Sequence, residues 1–315
     1  MSIDKVKAYF ASLGMERRVL EFDVSSATVD LAAQALDVRP ARIAKTLSFR
    51  IGEGCILIVT AGDAKIDNGK YKARFGTKAR MLQFDEVEPM TGSAVGGVCP
   101  FALPPHVPVY LDASMKRFHT VFPACGSDNS AIELTCGELF TFSGAKEWVD
   151  VCKDWDETAD PAYIETLLPD IGEPTDGTVS LRVAKTSPAD VHTGFVPAYG
   201  FEILRCEDGQ TVGAIDLRVG YCRNTYFGGN IGYQVLEPFR NNGYATRALK
   251  LVLDVARRQG MPWVFVSCFG DNPPSRAVIQ SCGGVLDLKR MLPAYTAMYR
   301  EGMRGEIRVY RIRLS

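Results

Sequence analysis

Long apolar runs are missing from this chain of 315 residues. The longest, around Cys55–Thr60 and Trp263–Phe269, are far shorter than the roughly 20 residues that cross a bilayer as a helix. The opening Met-Ser-Ile-Asp-Lys-Val-Lys is charged where a secretory signal carries its apolar core, so neither membrane insertion nor export is expected. An excess of one charge is missing too: 36 Lys and Arg face 37 Asp and Glu, a net charge of −1. Neither half is a polycation, so any contact with nucleic acid has to come from a local patch. Histidine is scarce. Its three copies, at 106, 119 and 192, lack metal-ligand spacing, and no metal is expected. The nine cysteines include no C-x-x-C pair, and this odd, unpatterned set predicts reduced thiols in a cytoplasm rather than a disulfide framework. No Ser-His-Asp or Cys-His set, internal repeat or low-complexity tract is evident.

What remains is an ordinary globular composition, 46% hydrophobic and 23% charged, in a chain long enough for two domains. Between Asp150 and Asp176 acidic residues and prolines accumulate, which predicts a linker over 154–175 with a short helix around Ala162–Leu168. The domains expected on either side are 1–153 and 176–315. In the first, helices are predicted over Ser2–Leu13, Thr28–Leu36 and Asn68–Phe75. Strands are predicted over Arg42–Arg50, Cys55–Thr60, Val109–Leu111, Val121–Ala124 and Ala131–Thr135, the first two joined at Gly52-Glu-Gly54. Many short strands without regular βαβ alternation predict a mixed, α+β sheet.

In the second domain, strands are predicted over Val179–Val183, Phe201–Arg205, Val212–Val219 and Ile307–Leu314. The most informative stretch is Gly232-Tyr-Gln-Val-Leu-Glu-Pro-Phe-Arg-Asn-Asn-Gly-Tyr-Ala-Thr246, a short strand, a tight turn and a helix start. Small residues at Gly243 and Ala245 let the backbone approach a ligand. The first helical turn then presents free N–H groups and its positive dipole end, which suits a phosphate. A buried strand, Met261–Cys268, leads into Asp271-Asn-Pro-Pro-Ser-Arg-Ala-Val-Ile-Gln-Ser-Cys-Gly-Gly284, a loop, a short helix and a glycine stop. Over roughly 175–315 this pair of motifs resembles the GNAT N-acetyltransferase family. The resemblance implies a mixed central sheet flanked by helices, with acetyl-CoA as co-substrate. It implies that Val235 polarises the thioester carbonyl through its N–H. Arg240, Asn241, Asn242, Gly243, Tyr244, Ala245 and Thr246 would cradle the pyrophosphate, and Asn272 and Ser275 would hold the pantetheine arm. The family's tyrosine acid falls on Ile279, and Glu202 and Glu237 are candidate bases for a small-molecule amine.

In the first domain, Lys45 enters an apolar strand, where a lysine is ordinarily an edge residue with a packed stem. Gly92-Ser-Ala-Val-Gly-Gly-Val-Cys-Pro-Phe101 permits positive φ and close backbone approach, or is simply a surface loop. Ala124-Cys-Gly-Ser-Asp-Asn-Ser130 is a polar turn. With Ala61-Gly-Asp-Ala-Lys-Ile-Asp67 and Arg80-Met-Leu, these resemble the YbaK / prolyl-tRNA synthetase editing-domain family over roughly 1–153. The resemblance implies hydrolysis of mischarged aminoacyl-tRNA. Lys45 would stand near the terminal nucleotide, Gly96, Gly97 and Pro100 would surround the aminoacyl ester, and Gly126 would lie on the facing turn. Thr28 is the candidate pocket residue ahead of Lys45, and Ala102 stands where the family's loop often has a second glycine. Cys99 and Cys125 have no evident activating base and are expected to pack. Lys65, Lys70, Lys72, Arg74, Lys78 and Arg80, with only Asp67 among them, form either a solvated face or a patch for the tRNA acceptor end. The combined expectation is a trans-editing deacylase fused to an N-acetyltransferase acting on an amine, an amino acid or aminoacyl-tRNA among the candidates. The alternative is that the first half only binds RNA or a small molecule.

Overall fold

The computed structural model describes residues 3–155 and 166–314. The chain divides into two compact units, Met1–Asp160 and Pro161–Ser315, each with its own apolar core. The helix expected over 162–168 falls mostly outside the described residues; 166–168 are not helical.

In chain order the first unit comprises α1 (Ile3–Ser12), β1 (Val19–Glu21), α2 (Val29–Leu36), β2 (Ile43–Ile51), β3 (Gly54–Ala61), β4 (Lys65–Ile66), α3 (Asn68–Phe75) and α4 (Phe84–Thr91). It continues with β5 (Val109–Asp112), β6 (Thr120–Pro123), β7 (Ser130–Ile132), β8 (Leu134–Thr135), α5 (Cys136–Phe142), β9 (Glu147–Val149) and β10 (Cys152–Lys153). Six strands form a mixed sheet in the order β8-β6-β2-β3-β5-β9. Strand β3 is its centre, antiparallel to β2 and parallel to β5. That position explains why Cys55–Ala61 is an unbroken buried run rather than an alternating one. Thr28 caps α2, its Oγ1 accepting the Leu31 N–H at 3.2 Å.

The sequence pattern predicts no element over Phe84–Thr91, yet α4 forms with Pro89 inside it. Its ends are well satisfied: the Glu86 carboxylate accepts the Gln83 N–H at 2.8 Å, and Gly92 closes the helix at φ 73°. Ala102 has φ 49°, a left-handed conformation that a Cβ disfavours by about 1–2 kcal/mol. The residue departing from the glycine text thus occupies a glycine conformation. Ala102→Gly is expected to leave stability unchanged or raise it by up to about 1 kcal/mol, read from a urea midpoint. A fall of more than about 1 kcal/mol would show that the Ala102 methyl is needed for packing.

The second unit comprises β11 (Val179–Ser187), β12 (Ala198–Arg205), β13 (Thr211–Arg218), α6 (Arg223–Gly228), β14 (Ile231–Val235) and α7 (Tyr244–Arg258). Then come β15 (Trp263–Phe269), α8 (Pro273–Ser281), β16 (Val285–Met291), α9 (Ala297–Arg300) and β17 (Glu306–Arg313). The strands form one sheet in the order β11-β12-β13-β14-β15-β17-β16, antiparallel except where β14 meets β15. Helix α7 buries Ala248, Leu249, Val252, Val255 and Ala256, the i, i+3, i+4 stripe of an amphipathic helix, against one sheet face. Each such Leu or Val contributes about 1.5–3 kcal/mol of burial. On the opposite face Phe227 of α6 joins Leu292, Ile307 and Val309 in a smaller cluster, against which Phe265 of β15 packs. Strand β16, α6 and α9 carry no expectation from the sequence pattern. In β16, Val285 and Met291 are mostly exposed, so burial periodicity gives no signal there. Among the described residues no helix is long and apolar enough to cross a membrane.

Candidate active sites

In the first unit a cavity of about 430 Å³ opens against β2. Thr28, Lys45 and Gly96 line it, together with Thr46, Ser48 and Ser130. Lys45 is its only charged residue among those described. The Lys45 ammonium donates to the carbonyls of Gly62 at 3.0 Å and Ala64 at 2.5 Å, and burial lowers its pKa below the ordinary lysine value. Gly62 has no room for a side chain: a Cβ there would overlap the Pro40 carbonyl oxygen and stand 2.7 Å from Val29 Cγ1.

Gly96, at φ 88°, sits at the apex of a turn closed by the Gly97 N–H donating to Ala94 O at 3.0 Å. The Gly97 N–H is therefore spent inside the loop, and no acceptor among the described residues takes that of Gly96. Gly97 and Gly126 lie back to back, since a Cβ on Gly97 would stand 3.2 Å from Gly126 O. Gly97, Pro100 and Gly126 do not line the cavity, although Gly96, Val98 and Ala124 beside them in sequence do. Cys99 and Cys125 are buried, and desolvation pushes the Cys99 thiol up to about 11 and Cys125 well above its ordinary value. Both are protonated at neutral pH and unsuited to attack.

Several cavity features escape a one-dimensional reading. Met81, Phe84 and Val95 stand at its edge with large exposures, Phe84 at 80%. The Thr46 hydroxyl is sealed from solvent without a partner among the described residues. The basic run Lys65–Arg80 is half neutralised. Lys65 meets Asp154 at 3.9 Å, Lys70 meets Asp150 at 2.8 Å, and Arg74 pairs with Glu147. The acidic partners come from β9, the end of β10 and Asp150 between them, too distant in sequence to show in the local charge count.

In the second unit, β14 and β15 pair only at Ile231↔Val266 and then part. Leu236 donates its N–H to Val212 O at 2.9 Å. Antiparallel alternation therefore turns the Val235 N–H and C=O away from β13, toward the gap. At the gap's mouth Asn241 and Gly243 take φ 66° and 76°, and α7 begins without a side-chain cap. The amides of Tyr244, Ala245 and Thr246 thus lie in its first turn, where helix geometry supplies no acceptor. Arg240 Nε donates to Val235 O at 3.3 Å, and the Asn242 amide donates to Phe239 O and Arg240 O at 3.1 Å. Asn272 caps α8, its Oδ1 accepting the Ser275 N–H at 3.1 Å. Ile279 is fully buried against Gly284, so that position serves packing. The Tyr233 hydroxyl lies at the start of α8, 3.0 Å from Ser275 Oγ, and burial pushes its pKa up to about 12. Of the two candidate bases, Glu202 is held by Arg182 Nε at 3.0 Å and Nη2 at 2.6 Å. Glu237 lies on the turn after β14.

These two sites have different relatives. The family model for the aminoacyl-tRNA editing domain matches residues 24–142, and that for the acetyltransferase (GNAT) domain matches residues 146–285. The "Uncharacterized protein YwhH" of Bacillus subtilis (strain 168) is 59% identical over 158 residues, which is 50% of this chain and 100% of that protein. The chain therefore belongs, through its first half, to the aminoacyl-tRNA editing-domain family, and its second half carries a GNAT acetyltransferase domain. Among solved structures, one titled as a "putative trans-editing enzyme for prolyl tRNA synthetase" is 29% identical, covers 48% of this chain and 96% of its own, and has a TM-score of 0.44. The RimL ribosomal L7/L12 alpha-N-protein acetyltransferase in complex with coenzyme A is 16% identical, covers 45% and 98%, and has a TM-score of 0.34.

Proposed function

We propose that the chain is a bifunctional cytoplasmic enzyme. Its first unit hydrolyses mischarged aminoacyl-tRNA in trans, and its second transfers acetyl from acetyl-CoA to an amine. The observation that carries the first activity is the cavity itself: one half-buried cation, a glycine turn, uncharged walls and an exposed aromatic at the edge. An aminoacyl ester is already activated, so hydrolysis needs a placed water and donors for the oxyanion more than a strong nucleophile. Lys45 on β2 and the Gly96 N–H are the donors proposed; Gly97 and Pro100 shape the loop that carries Gly96, and Gly126 braces that loop from the facing turn. Phe84 offers a ring on which the terminal base stacks, an interaction of about 1–3 kcal/mol per base. The neutralised Lys65–Arg80 run leaves Lys72, Lys78 and Arg80 as the phosphate contacts proposed there.

In the second unit, the outward edge of Val235 supports its role toward the thioester carbonyl, and the uncapped start of α7 suits a pyrophosphate. Acetyl-CoA supplies the activated acyl group. Arg240–Thr246 and Asn272–Ser275 would hold it, and Tyr233, protonated at neutral pH, can return a proton to the departing sulfur. The editing cavity releases an amino acid, which makes free amino acids and aminoacyl-tRNA the first acceptors to try.

The test is a panel of mischarged tRNAs for ester hydrolysis, run beside a panel of amines for CoA release. Hydrolysis of one or a few aminoacyl-tRNAs and acetyl-CoA-dependent turnover on at least one amine are expected. Tyr233→Phe is expected to lower kcat for CoA release about 10²-fold at unchanged acetyl-CoA affinity. Full activity of that variant would remove Tyr233 from the chemistry. No hydrolysis of any aminoacyl-tRNA would leave the first unit a binding module.

A further inference from the structure

The polar face of the second unit's sheet carries a carboxylate that none of the sites above uses. Register places Lys185, Gly200, Asp216 and Gly232 in one row across β11, β12, β13 and β14. The two glycines are clearances. A Cβ on Gly200 would stand 3.0 Å from Lys185 Cγ, and one on Gly232 would stand 2.8 Å from Asp216 Oδ1. Lys185 therefore lies across β12, and Asp216 lies across β14. Asp216 Oδ2 is sealed from solvent and faces the Arg218 guanidinium at 3.1 Å without hydrogen-bond geometry. Arg218 is in turn fixed by the carbonyls of Gly228 at 3.2 Å and Gly229 at 2.9 Å.

The next row of the face, Ser187, Ala198 and Arg218, is one wall of a cavity of about 850 Å³, within the range of small-ligand sites. The β11–β12 loop, α6 and the α9 region complete it. Its lining combines Asp190 and Glu301 with Arg218 and Arg223, beside the rings of Phe195 and Phe227. Both signs of charge over an apolar surface suit a small zwitterion better than a polyamine. Asp216 stands between this cavity and the gap: Gly232, which it covers, is three residues before Val235, about 10 Å along the strand. Glu202, one row nearer, is already taken up by Arg182.

We infer that this cavity receives the acetyl acceptor, a zwitterionic primary amine of amino-acid type, and that Asp216 takes the proton from its nitrogen, directly or through one water. The inference rests on the transferase reading of this unit. The ammonium first loses one proton to the Asp216 carboxylate, which passes it to solvent; the freed amine nitrogen then bonds to the acetyl carbonyl carbon, the carbon–sulfur bond breaks, and the nitrogen's second proton leaves by the same carboxylate. The sulfur leaves as thiolate and takes a proton from Tyr233 or water. Burial raises the Asp216 pKa above the ordinary carboxylate value, while Arg218, the Gly232 amide and Lys185 oppose that shift; β12 and β14 present only glycines in this row. A base acts unprotonated, so kcat should fall as pH drops through that raised pKa.

Full-length protein is tested with a panel of L-amino acids as acceptors. Asp216→Asn is expected to lower kcat about 10²-fold and to abolish the acidic limb of the kcat profile, with acetyl-CoA affinity within twofold of wild type. Asp216→Ala is expected to regain activity with added formate, which a structural role would not give. Without acetyl-CoA, calorimetry should show the accepted amino acid binding to wild type, weakened tenfold or more in Arg218→Met. Wild-type kcat and pH profile in Asp216→Asn, or unchanged amino-acid binding in Arg218→Met, would overturn the inference while leaving the transferase reading intact. Wild-type protein that neither binds acetyl-CoA nor releases CoA with any of these amines would overturn both.

Discussion

Lys45→Met is expected to lower hydrolysis of the edited aminoacyl-tRNA about 100- to 1,000-fold, the scale of losing one preorganised donor at an oxyanion. The ammonium is the cavity's only charge among the described residues, and two of its three protons are fixed on Gly62 O and Ala64 O. It is therefore held in place before any substrate arrives. Binding of tRNA is expected to survive, because the proposed phosphate contacts lie elsewhere. The pH dependence gives an independent readout. Burial lowers the Lys45 pKa, so the cation is lost at a lower pH than for an ordinary lysine. The enzymatic rate above background should fall as pH rises through that value. In Lys45→Arg the basic limb should vanish whatever the absolute rate, because guanidinium stays protonated. Undiminished hydrolysis by Lys45→Met would move catalysis away from this lysine.

Gly62→Ala is expected to destabilise the protein by about 3 kcal/mol, the upper end for an overpacked site. The new methyl overlaps the Pro40 carbonyl oxygen and crowds Val29, so either the backbone before β2 or α2 has to shift. Neither is the far end of a flexible side chain. The same shift would disturb the cavity wall through Val29 and Thr28 and one of the two carbonyls holding Lys45. Gly137→Ala is the contrasting case. It lies in α5, and its added Cβ meets nothing nearer than Thr135 Oγ1 at 3.9 Å, so a gain of about 0.5–1 kcal/mol is expected. Urea midpoints of the two variants measure the difference. An unshifted midpoint for Gly62→Ala would mean that Pro40 and α2 yield freely.

Where local rules suffice, the fold was legible. Thr28 at a cap, the Gly52-Glu-Gly54 hairpin and helix α3 over Asn68–Phe75 all occur as their residues predict. The strands β11, β12 and β13 start or extend beyond their predicted bounds because register with a neighbour, not propensity, sets a strand's ends. Elements whose signal is tertiary were missed: β16 is exposed except for Leu288, which packs on the smaller cluster, and α4 carries Pro89 in its interior between two capped ends.

Two sites could be named from the sequence because each carries a motif with short internal spacing, Gly92–Phe101 in one and Arg240–Thr246 in the other. Turn and helix-start geometry is local, so glycine spacing encodes it. The remaining site groups have no such spacing. Tyr233 reaches Ser275 across 42 positions, and Asp216 gains its setting from Gly200 and Gly232 on neighbouring strands. Charge shows the same division. The basic run Lys65–Arg80 is visible in the sequence, but Glu147, Asp150 and Asp154, which neutralise half of it, arrive through strand pairing. The sequence by itself determined the two families and the glycine-bearing turns of their motifs. Only the tertiary structure decided which side chains face those turns, because pairing between distant strands brings together residues that no local spacing relates.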